Sequence, residues 1–201
     1  MNNLASSLYL EKALNKREKI NFDVDYLYFG NHSPSDIQSS FVDKEGRNAG
    51  ANDTLYAPRQ KGFAGTVIQV GVGRIDYSRQ LSKSWSLEAG LKGTYTRSTS
   101  QSGIQSMVNG VWVVTRSETS NDIVMQEGIG AAYVSVNAAL NPSTTLVIGS
   151  RYEYSHTHMK NPQSEKNTIG RKLGVFFPNL QFSRKLGDRG ELQFSLSLIH
   201  I

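Results

Sequence analysis

His156 and His158 are the two residues whose type and spacing come nearest to a metal site. On a β-strand, residues two positions apart project from the same face, so both imidazoles would point the same way. A protein zinc site takes three or four ligands, and no third histidine or carboxylate stands at a telling distance from this pair. We therefore expect these histidines to be polar residues at a loop edge, without a bound metal.

Other residue types with catalytic potential lack the partners that catalysis needs. The chain has no cysteine, which removes disulfides, thiolate metal ligands and cysteine nucleophiles together. Gly71-Val72-Gly73 begins like a dinucleotide-binding loop, but the third glycine and a following helical segment are missing. No Gly-x-Ser-x-Gly motif occurs, and no nucleophile has a recognisable base partner. We expect no enzyme and no cofactor, and we assign no catalytic, cofactor-binding or metal-binding residue.

Charged residues are instead spread over the polar faces of predicted strands. Glu88, Lys92, Arg151 and Glu153 lie on such faces, where they would hydrogen-bond to one another or to water. The net charge of +5 is not concentrated in a Lys/Arg-rich run, so we expect no nucleic-acid partner. No stretch of about 18 apolar residues occurs, which excludes a transmembrane helix but leaves membrane-crossing strands open.

Alternation of apolar and polar residues predicts strands with one apolar and one polar face. The clearest strand carries these residues on its apolar face: Trp85, Leu87, Ala89, Leu91 and Tyr95. The same period of two runs through residues 20–28, 132–140, 146–154 and 192–198. A helix would space the apolar residues by three or four instead, so the sequence predicts an all-β fold.

Short and long connections alternate along the chain. Tight polar turns are predicted at 15–18, 82–84, 141–143 and 187–190. Long connections rich in Ser, Asn, Gln and Gly are predicted at 33–65, 100–126 and 160–172. Outer-membrane barrels have short periplasmic turns and long extracellular loops, and their strands need about ten residues to cross the bilayer. We therefore predict an antiparallel up-and-down transmembrane β-barrel.

One predicted strand changes phase in its middle. Ile68, Val70 and Val72 occupy one face, whereas Ile75 and Tyr77 occupy the other. A β-bulge inserts one extra residue and would bring the two sets back to the same face. We therefore predict a bulge within 71–74.

Several hairpins also resemble a known family. Residues 75–92, Ile-Asp-Tyr-Ser-Arg-Gln-Leu-Ser-Lys-Ser-Trp-Ser-Leu-Glu-Ala-Gly-Leu-Lys, are similar to a barrel hairpin of outer-membrane β-barrel proteins of the TonB-dependent receptor type, in a subtype that we associate with Bacteroidetes. Residues 131–137 resemble the next such strand, and 149–154 resemble its partner. Phe176-Phe177-Pro178-Asn179-Leu180 resembles a recurring strand opening of the family, followed by a turn at Lys185-Leu186.

The resemblance implies a transporter or receptor for nutrient uptake in the bacterial outer membrane. Residues 1–201 would form a single partial β-barrel domain, with about eight strands of a larger barrel and no plug domain. The isolated piece would be an open curved sheet that aggregates through its unpaired edges. The implied partners are outer-membrane lipid, an unknown extracellular ligand selected by the long loops, and TonB through the missing plug.

Two alternatives stay open. A small eight-stranded outer-membrane barrel would act as an adhesin or structural anchor, if the chain closed on itself. A soluble all-β binding protein would pair its apolar faces as a sandwich, although this class has no reason to sort its loops by length.

The two termini predict an internal fragment. Residues 1–7 have neither the basic nor the apolar region of a signal peptide. The last six residues, 196–201, read Leu-Ser-Leu-Ile-His-Ile, which is what a common transposon-based sequencing adapter encodes in frame. We therefore expect a gene fragment that runs into library sequence.

Overall fold

The computed structural model describes residues 1–114, 121–162, 164–187 and 190–197, with the side chains of 121 and 164–168 left out. Over these residues the protein is all-β and contains no helix, so no helix is long and apolar enough to cross a membrane. The strands are β1 (Asn2–Asn15), β2 (Glu18–Gln38), β3 (Arg59–Gln80), β4 (Trp85–Val108), β5 (Val111–Val114), β6 (Asn121–Asn141), β7 (Thr144–Asn161), β8 (Ser164–Lys185) and β9 (Glu191–Ser197).

The strands form one antiparallel sheet in the order β1-β2-β3-β4-β6-β7-β8-β9, and the short β5 pairs with β4. Each long strand therefore lies beside its neighbour in the chain, which confirms the predicted up-and-down arrangement of about eight strands. Among the described residues, β1 and β9 each have one neighbouring strand and do not pair with each other. The sheet is open, as predicted for a barrel segment, and is not a closed eight-stranded barrel.

The tight turns lie where the sequence predicts them. In the first turn the Asn15 side-chain oxygen accepts a hydrogen bond from the Arg17 amide at 2.8 Å, and in the third Asn141 accepts from the Ser143 amide at 2.9 Å. Such side-chain contacts reproduce part of a backbone turn, which is why asparagine favours these positions. The fourth turn is closed by a 2.7 Å bond from the Leu186 amide to the Gly190 carbonyl, although residues 188–189 lie outside the described part.

The predicted long connections are mostly strand. Pairing of β7 with β8 continues to Asn161 and Ser164, so the predicted loop at 160–172 is wrong. Likewise β4 extends to Val108 and β6 begins at Asn121, which leaves 115–120 outside the described part. The polar composition of these segments predicted loops. However, the hydrogen bonds of a ladder join backbone groups, so polar residues can form a ladder too. Within the described part of the three predicted connections, 39–58, between β2 and β3, remains an irregular loop.

The same extension corrects one further detail. The Phe176–Leu180 segment lies in the middle of β8, which begins at Ser164, and does not open a strand. Of the last six residues, Leu196 and Ser197 pair with Leu180 and Asn179 in the β8–β9 ladder, and the adapter origin stays a prediction. Residues 198–201 lie outside the described part.

Strand β3 contains no bulge, so that prediction is wrong. It pairs without a register shift with β2 from Arg59 to Arg79 and with β4 from Gln60 to Gln80. The change of phase is therefore real. Ile68, Val70 and Val72 lie on the otherwise polar face, and glycines take their places on the apolar face.

The sheet has two distinct faces and no core between layers. Large apolar side chains stay exposed on one face, for example Leu91 at 59% and Phe176 at 61%. Among the described residues, the hydrophobic residues that are buried are the alanines 57, 131 and 138. A contiguous apolar face of this extent needs a nonaqueous neighbour. We name the zone of apolar residues on this face the apolar belt; its members are Leu4, Leu8, Leu10, Ile20, Phe22, Val24, Tyr26, Tyr28, Ile75, Tyr77, Trp85, Leu87, Ala89, Leu91, Tyr95, Ala132, Val134, Val136, Ala138, Leu140, Leu146, Ile148, Tyr152, Tyr154, Phe176, Pro178, Leu180, Phe182, Leu192, Phe194 and Leu196.

The apolar belt runs obliquely across the ladders. A lateral row is the series of residues that are paired with one another from strand to strand. On β1 the belt begins at Leu4, and the lateral row through Leu4 reaches His158 on β7. His158 lies nearer the loops than the belt residues of β7 do. On β9 the belt ends at Leu196, whose row leads back to Glu18 on β2, below the belt of that strand. Strands that tilt relative to the barrel axis produce this stagger.

Candidate functional site on the polar face and at the loop end

A polar network on the polar face joins side chains from β2, β3 and β6, with β4 between the last two strands. The Arg74 Nε atom lies 2.7 Å from a carboxylate oxygen of Asp76 and 3.2 Å from one of Asp23. The Tyr133 hydroxyl donates a hydrogen bond to the other oxygen of Asp76, reaching over β4 to do so. The guanidinium is thus balanced by two carboxylates, and the four side chains fix one another.

Gly90 makes this crossing sterically feasible. It stands between Asp76 and Tyr133 in the lateral row, so the tyrosine ring lies directly over it. A Cβ atom at this position would stand 2.5 Å from the Tyr133 ring, and 2.7 Å from both an Asp76 oxygen and the Ile75 carbonyl oxygen. The carbonyl belongs to the backbone and cannot move aside cheaply. Glycine here is required for packing across the strand.

The predicted polar-face residues all lie on this face. Lys92 pairs with Arg74 in the ladder, Glu88 pairs with Ser78, and Arg151 follows Tyr133 in its row. A cavity of about 440 Å³ is lined by Arg74, Lys92, Tyr133 and Arg151, among other residues. Arg151 Nε lies 2.6 Å from Glu153 Oε1, but the angle does not make a directed hydrogen bond, so this contact acts through charge alone.

This surface carries charged side chains that can hydrogen-bond to water. It carries both cations and carboxylates, which suits hydrogen bonding to polar solutes and water. Among the described residues no three His, Cys, Asp or Glu side chains are grouped to hold a metal ion. His156 and His158 share a face as predicted, but it is the apolar face, because they pair with Gly128 and Gln126 of β6.

The half of the polar face nearer the loops carries an apolar patch that the sequence did not predict. It consists of side chains from β2 and β3, which pair here without a shift in register. Its members are Leu27, Phe29, Ile68, Val70 and Val72. The change of phase in β3 was the sequence signal for this patch, but it was wrongly interpreted as a bulge.

The irregular loop 39–58 is fixed against the β4–β5 hairpin. The Asn109 amide donates to the Asn52 side-chain oxygen at 2.7 Å, and the Asn52 amide group donates back to the Asn109 side chain. The Ser106 hydroxyl donates to the Thr54 carbonyl at 3.2 Å and is fully buried. We call this assembly of 39–58 and 105–114 the loop module.

Local sequence explains the hairpin half of the loop module. Asn109 and Gly110 both have positive φ, 50° and 78°, as a two-residue type I′ turn requires. An Asn-Gly pair is a strong hairpin signal, and here it lies within the long connection predicted at 100–126 from its composition. Beyond the turn, the Lys61 ammonium lies 4.4 Å from the centre of the Trp112 ring, which supports β5 by a cation–π contact.

The loop half of the module has its own small turn. The Asp43 carboxylate accepts hydrogen bonds from the amides of Glu45 at 3.0 Å and Arg47 at 2.8 Å, and it pairs with the Arg47 guanidinium at 2.8 Å. These donors, led by the Arg47 amide, lower the pKa of Asp43 below its ordinary value of 3.8. Nearby, the rings of Phe41 and Tyr56 meet edge to face at 5.5 Å.

Comparison with known proteins agrees with this architecture. The crystal structure of the ferric citrate transporter FecA in the unliganded form is similar with a TM-score of 0.65 and 13% identity, over 95% of this chain and 26% of that one. The chain thus spans about a quarter of the transporter's length, and the likeness at this identity concerns the fold. A comparison with curated proteins gives no match.

The family comparison covers nearly the whole sequence. Residues 12–199 match the family described as "Outer membrane protein beta-barrel family". In this setting the apolar belt contacts lipid and the polar face lines the barrel interior. The sheet therefore resides in the bacterial outer membrane, and the chain belongs to the outer membrane protein beta-barrel family.

Proposed function

We propose that this sheet is part of the barrel wall of a TonB-dependent transporter that takes up a nutrient. The observation that carries the proposal is the likeness to the FecA barrel over 95% of the chain. Energy for uptake would arrive from TonB through a plug domain inside the barrel. The proposal includes no enzymatic step.

The polar face suits this task. A wall that solutes pass must offer hydrogen bonds without trapping them, and the charged groups around Arg74 would do this. Arg74 itself is already balanced, since it contacts both Asp23 and Asp76. A solute that reaches Arg74 would therefore exchange with existing partners.

The loop module would help to select the ligand. The tight turns of such barrels belong to the periplasmic side, so the loop module would lie outside the cell. Its hydrogen bonds fix 39–58 in one position, and its apolar side chains remain exposed, including Val42 at 62% and Val111 at 62%. A fixed surface with exposed apolar groups lowers the entropy lost when a ligand binds.

Uptake by the full outer-membrane protein that carries this chain tests the proposal. Cells with and without TonB would be supplied with a panel of radiolabelled ferric siderophores, cobalamin and oligosaccharides. We expect at least one compound to accumulate only in cells with TonB. Entry of every tested compound at equal rates in both strains would contradict active transport and favour an anchor or passive pore.

A variant of the loop module sharpens this test. Asn52→Ala removes both bonds to Asn109, so we expect a raised half-saturation concentration for the accumulated compound. Asn31→Ala, in β2, is the matched control, because its side chain bonds only weakly to Ser33 at 3.4 Å. Equal uptake by both variants would exclude the loop module from ligand selection.

A further inference from the structure

Basic side chains are gathered just above the apolar belt, at its loop end. The ladders place them on the lipid-facing side, because Arg97 shares a row with His158, and His156 pairs with Lys172. Lys160 stands one row higher on the same face. We call this set the upper basic cluster; its members are Arg97, His156, His158, Lys160 and Lys172.

A groove lies next to the upper basic cluster. Its volume is about 650 Å³, and it is lined mainly by apolar atoms, with His156 at its margin. The rings of Tyr26, Tyr95 and Tyr154 border it, as expected for residues at a membrane interface. Its floor crosses three strands without side chains and consists of Gly71, Gly73, Gly93, Gly128 and Gly130. The groove therefore opens into the lipid and continues the apolar belt upward to the charges.

At the opposite boundary of the belt, one arginine is paired within the sheet. The Arg79 guanidinium there lies 3.0 Å from the Glu18 carboxylate. In the upper basic cluster, by contrast, no ion pair with a carboxylate forms among the described side chains. The charge of this cluster is therefore available to an anion from outside the sheet.

We propose that this surface binds a phosphate-bearing acylated glycolipid of the outer leaflet, the lipid A part of lipopolysaccharide. Its phosphates contact the upper basic cluster, and one acyl chain lies in the glycine-floored groove. Anionic lipid headgroups attract basic residues at the membrane surface, and phosphate pairs well with guanidinium groups. The occupant follows from position, because the loop end faces the outer leaflet, and from the adjacency of phosphate-binding charge to an acyl-sized groove. This inference does not depend on what the barrel transports.

Retention of lipid A by the full protein tests the assignment. The protein would be purified from outer membranes, delipidated in detergent, and mixed with bisphosphorylated lipid A or with phosphatidylglycerol. Native mass spectrometry would then count bound lipid. Arg97→Gln and Lys172→Gln should each lower lipid A occupancy about five-fold, as expected for loss of one charge at an anionic lipid surface. Arg184→Gln is the control, since Arg184 lies in the same strand as Lys172 and on the same face at the opposite boundary.

A groove variant separates the acyl contact from the charge contact. A Cβ atom at Gly93 or Gly130 would meet nothing within 4 Å, so Gly93→Val and Gly130→Val should fold normally while filling the groove. We expect them to lower lipid A occupancy while the charge remains. Unchanged lipid A occupancy in Arg97→Gln and Lys172→Gln would overturn the site. Equal retention of phosphatidylglycerol by the unaltered protein would overturn the choice of lipid.

Discussion

The two faces of the sheet tolerate opposite kinds of change. On the lipid-facing side, the space above Gly93 and Gly130 is open, so added volume meets nothing, whereas a charge would have to leave water. On the barrel-interior side, charged side chains such as Arg74 and Asp76 form ion pairs. Gly90 on that side is tightly enclosed, so added volume there meets neighbouring atoms. Position on a face therefore decides the effect of a substitution more than residue type does. Each of the first three predictions below compares one change on one face with its counterpart on the other, and the fourth concerns a position outside both faces.

Leu91 and Lys92 are adjacent and face opposite ways, so exchanging their roles tests the comparison most severely. Leu91→Lys places a charge in the middle of the apolar belt and should lower the free energy of unfolding by about 2–4 kcal/mol. Lys92→Leu changes a barrel-interior position and should cost under about 1 kcal/mol. Guanidinium titration of the protein in phospholipid vesicles measures both. Equal losses in the two variants would show that the faces are not chemically distinct.

Gly90 and Gly93 provide a comparison of volume within one strand. Gly90→Ala forces Cβ against the Ile75 carbonyl, which should cost about 2 kcal/mol, a typical value for overpacking. Gly93→Ala meets open space and removes glycine's flexibility, so stability should stay the same or rise by about 0.5 kcal/mol. The same unfolding titration applies. A cost at Gly93 as large as at Gly90 would refute the steric argument.

Two tyrosines test the hydrogen bond that crosses Gly90. Tyr133→Phe removes the donor to Asp76 and should cost about 1 kcal/mol, the usual net value of a protein hydrogen bond. Tyr95→Phe is the matched control on the lipid-facing side, where the ring is 51% exposed. We expect it to change stability by less than about 0.5 kcal/mol. If Tyr133→Phe were the milder change, the polar network would not hold the strands.

The smallest effect is expected outside both faces, at Asp43 in the loop module. Because folding lowers its pKa, the turn it closes is supported above the unfolded pKa near 3.8 and loses this support as pH falls through the lower folded value. The protection of the Glu45 and Arg47 amides, taken as the ratio of the intrinsic exchange rate to the observed rate at each pH, should therefore fall at acid pH. Asp43→Asn should remove this pH dependence. Identical pH profiles in the two proteins would exclude the carboxylate as the cause.

The sequence predicted much of the fold because the tight turns and the faces of the strands are decided by residues close together in the sequence. Turn residues such as Asn15 and Asn141 act on their immediate neighbours, and alternation assigns a face one strand at a time. Predictions failed where the informative quantity was pairing between backbones. The polar segment 160–172 looked like a loop, yet β8 runs through it. The β3 phase change looked like a bulge because nothing local reveals an apolar patch on an interior face.

The polar network and the loop module depend on more distant pairs. Tyr133 meets Asp76 only because β4 brings β6 and β3 to either side of Gly90. Asn52 and Asn109 are 57 positions apart, and no pattern links them before the strands are in register. Residue types identified candidates such as Arg151 and Glu153, but their partners follow from topology.

The oblique course of the apolar belt has a consequence for how such a chain can change length. Two properties of a residue on this sheet are independent. Whether its number is odd or even within its strand determines the face on which it lies, and its position along the strand determines its depth in the membrane. Loss of two residues within β8 would keep Phe176 toward lipid but shift it by about 6–7 Å along the strand. Loss of one residue would turn it inward. Deletions and duplications in the wall should therefore survive mainly as even numbers.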